Sequence, residues 1–458
     1  MLRTALSLPR AAAVAAALSA ALVAGCNSGP SGSHKKELNT QVALENYSLA
    51  VAHINKDKES EYGKRNMVLY YLDLGAVNHY AGNFKESDAA LERAEQRMEE
   101  LYTKSVTKSA GMMVLNDATA DYAGEPFERA LTNVYRSLNW LFQGKTDEAL
   151  VESRKVEIFL EELNAKLEKK SRYKDDAFAR YLDALLYTDA GKMDDARISM
   201  EKAQAAYAWY ASDYGIPAPR FNFPPDDKKS PRGELVFLHY NGVAPLKVSK
   251  SFQVAWGQAM ATVRESGDTE ANSAQFKNGL AAGIMGNSIT VSFPEYQPQP
   301  FNIRESEVVV ADIASAPTVV MEDVQAIATK TLQDRIALIK ARSIARATIK
   351  YVIAEAAARA ASKACDQAPG GAFGQLACKA ATRAIAHGAA AASEFADTRC
   401  WGSLPAQIRL ARIKLPAGKH TVTVNFKNAA GIVVSSHVFN GVNIEKGKRT
   451  YLSYRTAS

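Results

Sequence analysis

Among the 458 residues, those equipped for chemistry are 7 histidines, 4 cysteines and 49 aspartates and glutamates. Their spacing commits few of them to a reaction. His34, His53, His79, His239, His387, His420 and His437 include no HExxH pair, the helical spacing that puts two imidazoles on one zinc ion. His420 and His437 fall on neighbouring candidate strands and read as surface histidines of a sheet. The sequence holds no GxSxG nucleophile elbow, no phosphate-cradling loop and no GxGxxG turn. Carboxylates crowd the first half, but beside Lys and Arg at helical spacing, which is how solvated helix faces look. Ordinary carboxylates also serve glycosidases, so this absence of motifs is weak evidence against catalysis. The pattern points to no cofactor, no metal and no small-molecule substrate.

The cysteines say more. Cys26 closes the stretch Leu22-Val23-Ala24-Gly25-Cys26, after Arg3, Arg10 and an alanine-rich run from Ala11 to Ala24. Basic, then apolar, then small residues is the order of a secretory signal, and the run is shorter than the ~20 residues needed to span a bilayer. A cysteine directly after Ala-Gly resembles the lipobox of bacterial lipoproteins. The resemblance implies that residues 1–25 are a signal peptide, that Cys26 is lipidated and acylated, and that the mature chain hangs from a membrane in the periplasm. Asn27, in place of the aspartate associated with inner-membrane retention, implies the outer membrane. Losing Arg3 and Arg10 and no acid takes the net charge from +7 to +5. With no basic block interleaved with aromatics, nucleic acid is not an expected partner.

Three cysteines would then remain in an oxidising compartment, giving one disulfide and one thiol. None shows CxxC spacing. Cys365 and Cys378 flank a Pro-Gly-Gly break between two helical stretches, where antiparallel helix ends would bring their Cα atoms into the ~4.4–6.8 Å range of a disulfide. Cys400 is the rival partner.

The elements that would position these groups divide the chain. Asn27 to Lys36 is rich in Ser, Gly and Lys and reads, with Cys26, as a flexible tether over 26–36. Residues 37–214 are helical throughout, with apolar residues three and four apart. Gly82, Gly144 and Gly191 each sit in a turn between an aromatic-rich helix and an acidic helix start. This resembles tetratricopeptide repeats, and Leu74-Gly75 matches the family's small-residue pair. Arg136-Ser137 and Asp183-Ala184 depart from that pair, and the turns stand further apart than the ~34 residues of a regular array. The resemblance implies that the first helix of each pair lines a concave groove, which places Leu72, His79, Tyr80, Val134, Phe142 and Tyr181 on a partner-binding face. Solenoid core is the competing reading for these six. The segment Tyr122 to Glu128 and the helices after it also resemble a family of bacterial repeat-bearing lipoproteins of unassigned activity. Its Tyr-Ala-Gly-Glu-Pro-Phe reads as a helix start with Pro126 in the first turn rather than a binding loop.

A proline-rich linker over 215–233 separates this domain from a second one over 234–458. There the pattern alternates, with strand runs near 234–240, 288–293, 307–312, 407–414, 419–427, 431–442 and 448–455. Seven such strands suit an antiparallel β-sandwich of immunoglobulin or transthyretin type. It is interrupted by a modest helix over 253–280 and by an alanine-rich helical hairpin over 322–397. The fold class is thus α+β and multidomain. A basic face on the hairpin (Arg335, Arg342, Arg346, Lys350) reads as a solvated surface or a contact for anionic lipid. Two functions follow: a lipid-anchored periplasmic scaffold that binds another envelope protein through its repeat groove, or a cell-wall glycan enzyme or its direct activator.

Overall fold

The computed structural model describes residues 29–107, 120–166, 173–219, 230–259 and 288–457. Residues 1–25 and Cys26 lie outside them. Helices fill the first half and sheets most of the second. After α1 (Gly32–Ala43) and α2 (Tyr47–Lys56) come three helix pairs: α3 (Met67–Tyr80) with α4 (Phe84–Thr107), α5 (Pro126–Phe142) with α6 (Thr146–Lys166), and α7 (Ala177–Asp189) with α8 (Met193–Asp213). The first two pairs turn at Gly82 and Gly144 and the third at Gly191, with φ of +78°, +74° and +76°, the left-handed conformation that ends helices and that glycine adopts without a Cβ clash. The first two pairs are pressed close at small residues. A Cβ on Gly75 would come within 2.5 Å of the Leu91 side chain. In the second pair Ser137 is fully buried, and its Oγ donates to the Ala149 carbonyl at 2.8 Å. In the first, Ser87 Oγ donates to the Gly75 carbonyl at 2.7 Å.

Two local readings meet the structure differently. α5 does begin with Pro126 in its first turn and a capping box between Glu125 and Glu128, so Tyr122–Glu128 starts a helix. The tether over 26–36 needs correction, because α1 begins inside it at Gly32. Composition hides this helix because tertiary bonds hold it: Ser31 N donates to Glu61 Oε2 at 2.7 Å, and His34 and Lys35 are buried.

The second half runs β1 (Arg232–Asn241), β2 (Leu246–Ala255), β3 (Ser288–Gln297), β4 (Glu305–Val310), β5 (Ala314–Pro317), β6 (Val319–Asp323), α9 (Val324–Ser362), α10 (Gly371–Ala392), β7 (Gln407–Pro416), β8 (Gly418–Lys427), β9 (Val433–Ile444) and β10 (Arg449–Thr456). Two four-stranded sheets, β10-β1-β7-β6 and β5-β4-β8-β9, pack face to face through Leu235, Phe237 and Leu415 on one side and Val422, Val424 and Phe426 on the other. The outer face of the first sheet, with Val236, Leu238, Tyr240 and Leu410, joins the same apolar cluster as the helices. β1 is therefore covered on both faces, which is why it reads as a continuous apolar run. Tyr214 and Ile216 also belong to that shared cluster. The proline-rich stretch separates helix from strand in sequence, yet one core spans both halves.

Several strand assignments change. β1 pairs with β7 antiparallel but with β10 in parallel, Glu234 opposite Arg449, so the first sheet is mixed rather than antiparallel. Side chains alternate with period two in either direction, and the pattern carries no sign of strand direction. Ser288–Phe293 leaves the predicted sandwich and pairs with β2 in a separate two-stranded sheet. The expected helix over 253–280 starts as the end of β2, with residues 256–259 helical and 260–287 outside the described residues. His420 stands opposite Val442 and His437 opposite Val424, so the two histidines do not pair.

The hairpin α9/α10 rests on β2 and β3, with Tyr351, Ala354 and Ala390 against Val254, Ile289 and Val291. Cys365 and Cys378 form its disulfide, with Cα atoms 5.6 Å apart, and Cys400 is a buried thiol. Half of the basic face turns inward: Arg346 and Lys350 both pair with buried Glu394, at 2.8 and 2.9 Å.

Candidate functional site

The six residues assigned to a partner groove lie on α3, α5 and α7, and this chain's own second half covers that face. Leu72, His79, Val134 and Tyr181 are buried and Tyr80 and Phe142 half-buried. His79 Nδ1 meets Asn139 Oδ1 and its Nε2 meets the Tyr240 hydroxyl, each at 2.7 Å. Tyr80 donates to the Ser403 carbonyl at 3.2 Å, and the Tyr181 hydroxyl accepts from Arg412 at 3.2 Å. Leu72 and Val134 sit in the shared core. Phe142 stacks on Phe84, 5.0 Å between centroids, with the ring of His79 edge-on. The face is therefore closed from within, and the expectation of an open groove is corrected. Packed and presented aromatics recur at the same helical spacing, so the pattern could not separate them.

Residues 397–406 lock the two halves together. Trp401 N donates to Glu128 Oε1 at 2.7 Å, and Trp401 Nε1 to Ser403 Oγ at 2.9 Å. Ser403 in turn donates to Asp73 Oδ1 at 2.6 Å, while Tyr62 supplies Asp73 Oδ2 at 2.8 Å. Burial pushes the Glu128 carboxyl up to about 7. A carboxyl near neutrality is what a general acid requires. Yet Glu128 also accepts from the Tyr122 hydroxyl at 2.5 Å and from Glu125 N at 2.9 Å, and it is fully buried. Its bonds are those of a keystone between halves. A second lock stands at the far end of the sheet, where Arg449 pairs with Asp189 and with Glu234.

Among the described residues the opposite side of the helix pairs is uncovered. A cleft of about 680 Å³ lies between α4 and α6 over the floor of α5. Arg136 stands in that floor, 5 % exposed, ringed by Asp88 at 2.9 Å, by Glu152 at 3.2 Å and by Glu95. Lys155 pairs with Glu152 at 2.9 Å and Glu95 at 3.3 Å. Burial raises Glu152 above the usual carboxylate range. Around this cage, Glu92, Glu99 and Glu162 are exposed on the rim. Ile158 is 57 % exposed, and Arg129 lies over the rings of Tyr102 and Phe159, at 4.8 and 4.5 Å. Exposed apolar and aromatic side chains, a stacked arginine and a carboxylate rim can hold a cationic, partly apolar ligand.

Sequence reasoning missed this cleft, although a signal for it existed. Arg136 and Asp183 were the departures from the repeat family's Leu-Gly pair, and both are buried polar groups with tertiary partners. Asp183 accepts from Ser153, and burial pushes its carboxyl up to about 7. No protein-family model, no curated protein and no solved structure matches this chain.

Proposed function

We propose that this protein is a lipid-anchored scaffold of the bacterial outer membrane, facing the periplasm, which docks another envelope protein in the cleft between α4 and α6. In this reading the helix pairs are tetratricopeptide-like and the paired sheets are of the immunoglobulin or transthyretin type. The left-handed glycine turns and the small-residue approach at Gly75 support the first assignment, and two four-stranded sheets packed face to face support the second. The single observation that carries the proposal is the cleft itself. The chain closes its inner helix face with its own sheet, and among the described residues nothing covers the outer one, where Ile158 is exposed beside the rim carboxylates. Those carboxylates select a segment that carries Lys or Arg next to an apolar residue.

The anchor sets where such docking happens. Only Asn27 and Ser28 separate Cys26 from Gly29, which with Pro30 is already buried, so a lipid on Cys26 would hold the body within about 10 Å of the membrane surface, the most that three residue steps can span. The test is crosslinking in intact envelopes followed by capture of the tagged protein. Glu92→Lys combined with Ile158→Asp should remove a specific crosslinked species while membrane fractionation stays unchanged. Cys26→Ser should instead remove the acyl label and the membrane fractionation. Crosslinks that survive the cleft variant sink the docking role, and a Cys26→Ser protein that keeps its acyl label sinks the anchor.

A further inference from the structure

His34, His53 and Asp57 converge where α1 meets the end of α2, and no role for them follows from the cleft or the sheet interface. Their ligand atoms all lie within 4.8 Å of one another. His34 Nδ1 is 3.1 Å and His53 Nδ1 3.5 Å from Asp57 Oδ2. Ligands of a tetrahedral zinc ion, each about 2.0–2.2 Å from the metal, stand roughly 3.4 Å apart, so these spacings are those of ligand edges. The sequence builds the site simply. His53 and Asp57 are four apart, which puts them on one side of α2 and its end, and α1 brings His34 across to them.

The surroundings of His34 supply the outer partner that a metal-bound histidine keeps. His34 is 3 % exposed, and its Nε2 lies 3.0 Å from the Tyr62 hydroxyl, which donates its own hydrogen to Asp73 Oδ2. The Tyr62 oxygen therefore accepts from His34 Nε2–H. That bond leaves Nδ1 facing the carboxylate of Asp57 at 3.1 Å. Metal-bound histidines characteristically donate their second nitrogen to such an outer partner, which fixes ring and tautomer. Among the described residues His53 Nε2 is buried with no hydrogen-bond partner, and its ring stacks 4.4 Å from that of His34.

We infer that His34, His53 and Asp57 bind one divalent transition ion of the zinc class, with a fourth position open to solvent. Two imidazoles and one carboxylate suit zinc rather than magnesium or calcium, which take mainly oxygen. The ion would clasp α1, the first helix after the candidate anchor, onto the body.

The test uses full-length protein purified in detergent, stripped with a chelator, and titrated with zinc chloride by calorimetry. One equivalent should bind, and His53→Ala and Asp57→Asn should each weaken binding by at least tenfold. Both residues are partly exposed, so circular dichroism should show these variants folded. Tyr62→Phe keeps the ring and loses the outer hydrogen bond, and should weaken binding by about 10- to 100-fold. Cobalt(II) should give the visible bands of a tetrahedral N/O site, and zinc should slow hydrogen exchange in α1. The site is refuted by a lack of stoichiometric binding, by binding that both His53→Ala and Asp57→Asn leave intact, or by a sulfur-to-cobalt band assigning the ion to Cys400.

Discussion

The two faces of the helix pairs are built from different chemistry. At the centre of the inner face the side chains that meet the sheet are neutral, His79, Asn139, Tyr80, Tyr135 and Tyr240 bonding to one another and stacking, while the charged groups Arg449, Asp189 and Arg412 stand toward its far end. On the outer face, Arg136 and Lys155 are surrounded by carboxylates at the edge of water. Neutral groups are the cheaper ones to bury, because a charge taken from water must recover several kcal/mol from its partners. An interface meant to stay shut can be dry and neutral. The difference teaches that the first helices of such pairs need not line an open groove. Here that face is spent inside the chain.

The largest test of this contrast is Tyr181→Ala. Tyr181 is fully buried beneath the sheet, so the variant should lose about 3–5 kcal/mol in denaturant unfolding. A loss below about 1 kcal/mol would return the inner face to the status of an open groove.

The neutrality of that face can be read from pH. Burial holds the His79 imidazole down to about 4, against an ordinary 6.5. Between those values the unfolded chain binds a proton that the folded chain refuses, so stability rises with pH across the window and is lost as pH falls through it. The full effect is about 3 kcal/mol. Glu128 and Asp183, raised to about 7, act with the opposite sign, since the folded chain keeps protons there that the unfolded chain releases. Comparison with His79→Gln cancels both. The wild type should lose about 3 kcal/mol relative to this variant between about pH 7 and pH 4, and parallel stability curves would mean that water reaches the ring.

The smallest effect should come from the outer face. Glu92→Lys and Ile158→Asp, at exposed positions, should each change unfolding stability by no more than about 0.5 kcal/mol. A larger loss would make the cleft part of the core and erase the contrast.

What the sequence determined alone is what depends on neighbours along the chain. Helix pairs followed from apolar residues three and four apart and from Gly82 and Gly144, because period and turn chemistry are local. The strands from Glu234 to Tyr240 and from Lys419 to Lys427 were legible for the same reason. So was the disulfide, since Cys365 and Cys378 flank a break that folds one helix back on the other. Tertiary structure alone decided the direction of β10 beside β1, the helix hidden in Gly32–Lys36, and the covering of His79 and Tyr181. Trp401 and Ser403 lie 273 and 330 residues from Glu128 and Asp73, the groups they bond. Pairings at that range leave no mark in local periodicity, because burial by a distant strand and burial by the next helix select the same side chains.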